Sequence, residues 1–472
     1  MSEPNYDNQI PYSVFFPLPY RVLFLVGLGV VGWATNLHGL DMLDVDAHAV
    51  LELRSNDYFS LPRASPRQRH DSFRTFQTDS SLHYKNVYRI AAGYCLWVSA
   101  TWLIYAYCTQ GDPSLADSYG YLPGIATLFT IFILLCPFHI FYRHERDKFL
   151  HGLRRCLFIT MNSPVYFADV VFADIFTSFA KVLGDVLLSL RMLLPGNSML
   201  TAPVDHGLTR WVAPTIMSLP YLVRFRQCIV EWSSQDNESN RPLFNAIKYA
   251  TAFPVIYLSA AQRIVESDIL KDKGSEAAGE AWHGEHPLFR LWLLSAAVNS
   301  LYSYWWDVTN DWGLDLLRPK NETSAERVLP RRLVLPHLHS GTSLLRTDQV
   351  DNHIPGNGFS HTTYQRERYP YGLRQTLLYP LPVYPLMIFL NFVLRMTWSI
   401  KLSVHLHSKS DESIALFMVE VAEIFRRWMW VFLRVEWEAT KKMTEGSGRP
   451  KYEGNTTGDE PDYELIPTPG AD

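Results

Sequence analysis

Cysteine is scarce and scattered. The five in this chain of 472 residues, Cys95, Cys108, Cys136, Cys156 and Cys228, stand singly in or beside apolar segments with no CxxC pair. That excludes a disulfide framework and a zinc ribbon. The 16 histidines show no ligand spacing either, since the HLH at 405–407 is too short a signal for a metal. No HExxH, GxSxG or Gly-rich phosphate loop occurs, and no nucleophile–base set is visible. An enzyme is therefore the weakest reading, and no cofactor or metal is expected. Long runs of one charge sign are also missing, and the net charge is only −4, so nothing resembles a nucleic-acid-binding surface. No internal repeat is apparent.

Rings and apolar residues are abundant. The chain is 47% hydrophobic and 14% aromatic, yet its mean hydropathy is only −0.06, so the apolar residues must be gathered into segments separated by polar loops. A bilayer crossing needs about 20 mostly apolar residues in helix. Three windows meet this cleanly: Val22–Leu37, Tyr88–Cys108 and Tyr121–Tyr142. The first lacks a basic n-region and a small-residue cleavage site, and reads as an anchor rather than a signal peptide. Six further windows, about 165–195, 207–231, 243–264, 287–308, 376–400 and 412–436, contain ionisable residues. The weakest is 207–231, where Pro214 and Pro220 interrupt the periodicity. The expected fold is all-α, a polytopic transmembrane helical bundle of about nine spans.

Loop charge gives the orientation, because Lys and Arg accumulate on cytosolic loops. Residues 1–17, 109–120 and 196–206 contain neither, whereas 38–87, 143–155 and 313–374 are rich in Arg. Nine spans with the N-terminus outside and the C-terminus in the cytosol satisfy the alternation, with Lys271 and Lys273 in the 265–286 loop as the exception. The polar stretches 38–87 and 313–373 read as cytosolic linkers. The expected organisation is an N-terminal membrane region over 1–160 with three spans and a cytosolic loop, six polar-faced spans over 161–440, and a disordered cytosolic tail over 441–472.

An ionisable residue inside a span costs at least a few kcal/mol and usually faces the bundle interior or water. Helical spacing places Asp174, Thr177, Ser178, Lys181 and Asp185 on one face, as it does Arg224, Gln227 and Glu231, and also Asn245, Lys248 and Tyr249. Downstream, Asn391, Arg395 and Trp398 align, and so do Glu423, Arg427 and Arg434, with Arg426 turned aside. A seam of Lys and Arg from several helices, partly balanced by acids, suits a small, strongly hydrated anion passed from one cation to the next. A single Asp–Arg pair reads equally well as a structural clasp; polar faces on six successive helices favour a path. Arg426 and Arg434 have a second reading as snorkelling side chains. Trp305, Trp306, Trp312, Trp428, Trp430 and Trp437 read as an interfacial belt, and Asp169 as a helix-start residue.

The stretches FADIFTSFAKVLGD (172–185), LPYLVRFRQC (219–228), NAIKYATAFP (245–254), LYSYWWDVTNDWGL (301–314), LRMTWSI (394–400) and EIFRRWMWVFLRVE (423–436) resemble, in order and spacing, the signature blocks of the EXS family. The patterns WDxxxDWGL and FRRxxWxxxRxE are long and unusual, and the resemblance covers about 165–440. That family includes eukaryotic phosphate exporters and the fungal Erd-type proteins of the Golgi, which act in retention of endoplasmic-reticulum lumenal proteins and in Golgi glycosylation. The exporters carry an SPX domain before the membrane region. Here about 20 residues precede the first span, so this chain is similar to the shorter Erd-type members.

The resemblance implies a phosphate path through Asp174, Thr177, Arg224, Lys248, Tyr249, Arg395, Trp398, Arg426 and Arg427. Thr177 stands where the exporters usually have an amide. Asp307, Asp311 and Glu423 are implied as acids that orient or gate the path, holding neighbouring cations; Arg426 and Arg427 are the expected partners of Asp311. The function so implied is a Golgi membrane transporter moving inorganic phosphate from lumen to cytosol. The alternative is a non-transporting adaptor for retention or recycling of glycosyltransferases and lumenal proteins. Expected partners are inorganic phosphate, membrane lipids, Golgi glycosyltransferases or their recycling machinery, and a second copy of the chain in a homodimer.

Orientation makes a direct prediction. Asn237, Asn321 and Asn455 begin N-x-S/T sequons, and the charge pattern puts all three in the cytosol, so none is glycosylated. An endoglycosidase-sensitive mass shift that disappears on mutating any one of them would break the nine-span orientation.

Overall fold

Proline opens the first long helix. After a short turn, α1 (Tyr12–Phe15), Pro17 sits extended at φ −66° and Pro19 occupies the second helical position of α2 (Leu18–Met42), where the missing N–H costs nothing. The computed structural model describes residues 12–43, 45, 47–51, 68–160, 164–194, 196–201, 203, 207–235, 237–273, 287–314, 331–332, 373–374, 376–397 and 409–447. Next come α3 (Ala47–Val50), α4 (Gln68–Thr109), α5 (Pro113–Ser118), capped by the Asp112 carboxylate accepting from Ser114 N at 2.9 Å, and α6 (Tyr121–Leu135). The charged helix α7 (Arg143–Leu157) returns beneath α6. Its Arg146 donates to the carbonyls of Cys136 (2.9 Å), Ile140 (2.9 Å) and Phe141 (3.0 Å), satisfying acceptors at and after the C-terminal end of α6.

The second half is more broken. It comprises α8 (Phe167–Ser178), α9 (Ala180–Met192), a 3₁₀ turn at Gly207–Trp211 leading into α10 (Val212–Trp232), α11 (Arg241–Ala250) and α12 (Ala252–Lys273). Helix α13 (Pro287–Trp306) runs on as a π-helical turn, Asp307–Asp311, followed by α14 (Val383–Arg395) and α15 (Lys409–Ser447). A parallel two-residue pairing of Arg331–Arg332 with Thr376–Leu377 is the one strand contact among the described residues.

The fold is all-α, but among the described residues three helical stretches are long and apolar enough to cross a membrane, not nine: Leu18–Met42, His83–Thr109 and Pro113–Leu135. These are the three clean windows of the sequence. The other six windows fall short for identifiable reasons. Window 165–195 divides at Phe179 and window 243–264 at Thr251, while α14 has only 13 residues. The remaining three carry buried ionisable residues. In window 207–231, conversely, α10 continues through Pro220 without a break.

Side-chain placement is the reverse of a water-soluble domain. Leu96, Leu103, Leu128, Phe132, Leu386 and Phe389 face outward, while Asp174, Arg224, Gln227, Lys248 and Asp307 lie inside. Apolar surface of this extent on apolar helices meets lipid tails, and the buried polar groups must find one another. The chain is an integral membrane protein.

The largest apolar core joins α2, α8, the π-turn, α14 and α15 through Ala34, Leu37, Val171, Val308, Tyr384 and Trp430. It includes Trp312, at 1% exposure, and Trp306 is buried as well, at 3%. The expected tryptophan belt is therefore corrected: Trp306, Trp312 and Trp430 are core residues, and only Trp305 of the WWD segment is exposed. Rings this large seal the floor beneath the π-turn.

The WGL ending of the π-turn follows from this packing. Gly313 has φ +63°, and a Cβ there would lie 2.7 Å from two ring carbons of Trp437. Gly313→Ala therefore combines a left-handed backbone, worth about 1–3 kcal/mol of strain, with a clash against the Trp437 indole, which would have to shift. The expected result is a lowered melting temperature of the detergent-solubilised protein, and an unchanged one would show that the turn relaxes freely.

Candidate functional site

Four acids organise the interior. Asp174, on α8, accepts from Arg224 Nε at 3.0 Å and from the Tyr249 hydroxyl at 2.5 Å. Arg224 also reaches Gln227 Oε1 at 2.6 Å, and its guanidinium lies over the Tyr249 ring at 4.9 Å. This sub-cluster links α8, α10 and α11. Both charged side chains are about 3% exposed, so the pair lies in a low-dielectric interior where neither member tolerates loss of the other.

Asp307 is the hub of a second sub-cluster and is wholly buried. Lys248 Nζ lies 3.2 Å from its Oδ1, Arg395 Nη2 2.5 Å and Arg426 Nη1 3.6 Å from its Oδ2, and Asn391 Nδ2 donates to it at 3.3 Å. Lys248 also holds Asp311 at 3.1 Å, and Trp430 Nε1 donates to that acid at 3.3 Å. The π-turn makes this possible. The amide of Trp312 bonds the carbonyl of Asp307 across five residues, and the wider turn presents both carboxylates to the single ammonium of Lys248.

Glu423 closes the set. It accepts from Arg426 through Nε at 2.8 Å and Nη2 at 2.5 Å, a bidentate pair, and from the Ser178 hydroxyl at 2.9 Å. Arg427, its neighbour in sequence, behaves differently. It donates through Nε to Ser178 Oγ and through Nη2 to Thr177 Oγ1, each at 3.0 Å, and lies 4.6 Å over the Trp430 ring. No carboxylate is within 4.0 Å of it among the described residues, and its buried Nη1 has no hydrogen-bond partner there. Five buried or nearly buried cations (Arg224, Lys248, Arg395, Arg426, Arg427) thus face four acids (Asp174, Asp307, Asp311, Glu423). The surplus positive charge is at Arg427.

Eleven of the twelve sequence-predicted site residues come together in this network; Trp398 lies outside the described residues. Three expectations need correction. Arg426 is not turned aside or snorkelling but 2% exposed and paired with Glu423 and Asp307. Asp311 pairs with Lys248 and not with Arg426 or Arg427, because those arginines lie beside Asp307 and the α8 hydroxyls. Lys248 and Arg395, whose windows 243–264 and 376–400 would put them within continuous helices, instead occupy the last turns of α11 and α14, where the helix dipole favours a cation. Arg434 and Glu231 do not join the network, since Arg434 pairs with Glu438 and Glu231 is exposed. Asp169 is a helix-start residue, as expected, with Arg155 at 2.6 Å.

Sequence reasoning did not single out Trp430 as a ligand of Asp311, or Glu436. The latter accepts from Arg374 Nη2 (2.8 Å), Leu378 N (2.8 Å) and the Tyr384 hydroxyl. It is the final acid of FRRxxWxxxRxE, and its place two residues past Arg434 was the available signal. Its work is to clasp α15 to the start of α14.

The family pattern for EXS matches residues 16–440, so the correspondence includes the first three spans as well as the signature blocks. The chain belongs to the EXS family. It is 29% identical over 439 residues to Protein ERD1 homolog 1 of Schizosaccharomyces pombe, covering 91% of this chain and 92% of that protein. Protein ERD1 of Kluyveromyces lactis is 23% identical over 443 residues, covering 91% and 95%. The Arabidopsis thaliana phosphate transporter PHO1 is 25% identical over 375 residues, which cover 76% of this chain but 38% of the transporter. As an EXS protein of the ERD1-like kind, the chain is a membrane transport or scaffold protein and not an enzyme.

The geometry predicts which acid answers to which base. Asp311→Asn leaves Lys248 with Asp307 alone, and breaking a buried pair costs about 3–5 kcal/mol. Lys248→Met should recover part of the loss in the double variant, whereas Arg427→Gln should add to it without coupling. Melting temperatures of the four-member cycle measure this; coupling to Arg427 in place of Lys248 would contradict the network.

Proposed function

We propose that this protein is an Erd-type member of the ER–Golgi membranes that passes inorganic phosphate from lumen to cytosol, and that retention and glycosylation of resident proteins depend on that passage. The observation carrying the proposal is Arg427: a buried guanidinium with two hydroxyl partners, no carboxylate within 4.0 Å among the described residues and an Nη1 with no hydrogen-bond partner there. A bare cation in hydrocarbon is costly, and a transient oxyanion is the partner that would complete it. Neighbouring Arg426, Arg395 and Lys248 then offer successive positive stations, while Asp307, Asp311 and Glu423 hold those side chains in place and keep the resting cluster close to neutral. The reading also takes nine crossings with the N-terminus lumenal, the broken segments being tolerated because they are buried in protein. The PHO1 relative, named a phosphate transporter, supports the choice of anion.

A second reading has its own support. The ERD1 relatives match along nearly their whole length and the transporter along 38% of its own, which favours a retention role in which the chain serves as an adaptor without transporting anything. Phosphate flux in proteoliposomes of the purified chain decides between them. Loss of a charge-assisted contact in Arg427→Gln should lower flux by about ten- to hundredfold at unchanged protein abundance. Wild-type vesicles with no phosphate flux, or a variant that keeps flux while the protein degrades, would leave the cluster as a structural clasp and the adaptor reading in force.

A further inference from the structure

A cavity of about 450 Å³ lies apart from the central cluster, between the start of α2, the body of α9 and the first turns of α15. Its polar lining is Tyr12, Ser13, Arg21, Lys181, Asp185 and Glu420, and the rest is apolar. Lys181 Nζ pairs with Asp185 and lies 3.6 Å from Glu420 Oε1, so one ammonium serves two carboxylates. Those carboxylates are only about 8–10% exposed. Arg21 enters from the opposite wall with its guanidinium 5.4 Å over the Tyr12 ring, and its Nε is buried with no hydrogen-bond partner among the described residues. The cavity adjoins the central cluster along α15: Glu420 precedes Glu423 by three residues, about 4.5 Å of helix rise.

Two cations and two carboxylates facing one space make a poor host for a fully deprotonated oxyanion. Such an anion accepts hydrogen bonds from Arg21 and Lys181 but has no proton to offer Asp185 or Glu420, whose carboxyl oxygens accept. Dihydrogen phosphate differs. It carries oxygens that accept from the cations and P–OH groups that donate to the carboxylates, so all four side chains are used. From this we infer that the cavity is an anion subsite that admits phosphate in its protonated form and excludes sulfate, setting the selectivity ahead of the central cluster. The inference rests on the phosphate reading above for its occupant. In the orientation with the N-terminus lumenal, this is the lumenal mouth.

The test is the ratio of phosphate to sulfate flux in proteoliposomes of the full chain, compared between wild type, Asp185→Asn and Glu420→Gln. An amide in place of either carboxyl group supplies an N–H donor to an anion that has no proton of its own. The ratio should fall by about ten- to hundredfold, while Arg21→Gln should weaken both anions and leave the ratio largely unchanged. Because both fluxes are taken from the same vesicles, the ratio does not depend on how much protein inserts. A variant transporting neither anion is read by the melting-temperature shift of the purified protein in phosphate against sulfate. Wild type that discriminates, with carboxylate variants that discriminate equally, overturns the inference. Wild type with no flux but a phosphate-selective thermal shift would sink transport and leave the subsite standing.

Discussion

The helix ends that meet in the central ion network are arranged around one buried carboxylate. Asp307 is fully enclosed, and three cations from three other helices converge on it. In hydrocarbon surroundings an isolated aspartate would be strongly unfavourable, and so would each of its partners alone. Together they are mutually dependent, which fixes the relative positions of α11, the π-turn, α14 and α15 far more tightly than apolar packing against lipid-like neighbours could. The apolar core beneath the π-turn, Val308, Trp312, Trp430 and their neighbours, then keeps water from dissolving the cluster.

The same dependence explains why the helices are interrupted where they are. Helices α8, α11 and α14 each end at the cluster, at Ser178, two residues past Lys248, and at Arg395. A helix C-terminus presents unpaired carbonyls and partial negative charge, which assists the placement of Lys248 and Arg395 in their last turns. Backbone groups released at those ends need partners within the protein wherever water is excluded. The phenyl ring of Phe179, at the α8–α9 break, illustrates the closeness: it lies where a Cβ on Gly29 of α2 would come within 2.5 Å.

Much of the site was legible because helical spacing survives short breaks. Asp174 with Thr177, Arg224 with Gln227, and Asn391 with Arg395 are each three or four residues apart, and each set does face the interior. What spacing could not resolve is which of two adjacent residues faces inward when both do: Arg426 and Arg427 are both buried, one toward Glu423 and Asp307, the other toward the α8 hydroxyls. Nor did it reveal the break at Phe179, where no proline or glycine marks the chain, or the one at Thr251, which Pro254 in the first turn of α12 does mark. The π-turn was equally hidden, and it decides the partner of Asp311. The three clean spans were read well because continuous apolarity is a one-dimensional property; the other windows depend on charges that only three dimensions bring together.

The contrast between Arg426 and Arg427 carries the functional argument one step further. Two adjacent arginines in one helix share the same burial and nearly the same depth, yet one is neutralised by a bidentate carboxylate and the other is met by two hydroxyls and an indole face. A purely structural seam gains nothing from leaving the second cation short of an acid, because the cost of desolvation is the same and the compensation is smaller. A site that must bind an anion and then release it does gain. Full compensation would repel the anion, and a cluster of unpaired cations would hold it too firmly to let it leave. Hydroxyl partners lie between these limits: they accept from two of the guanidinium's N–H directions without cancelling its charge, while their own protons are held by Glu423 and by the Asp174 carbonyl, so the charge of Arg427 is left for the anion.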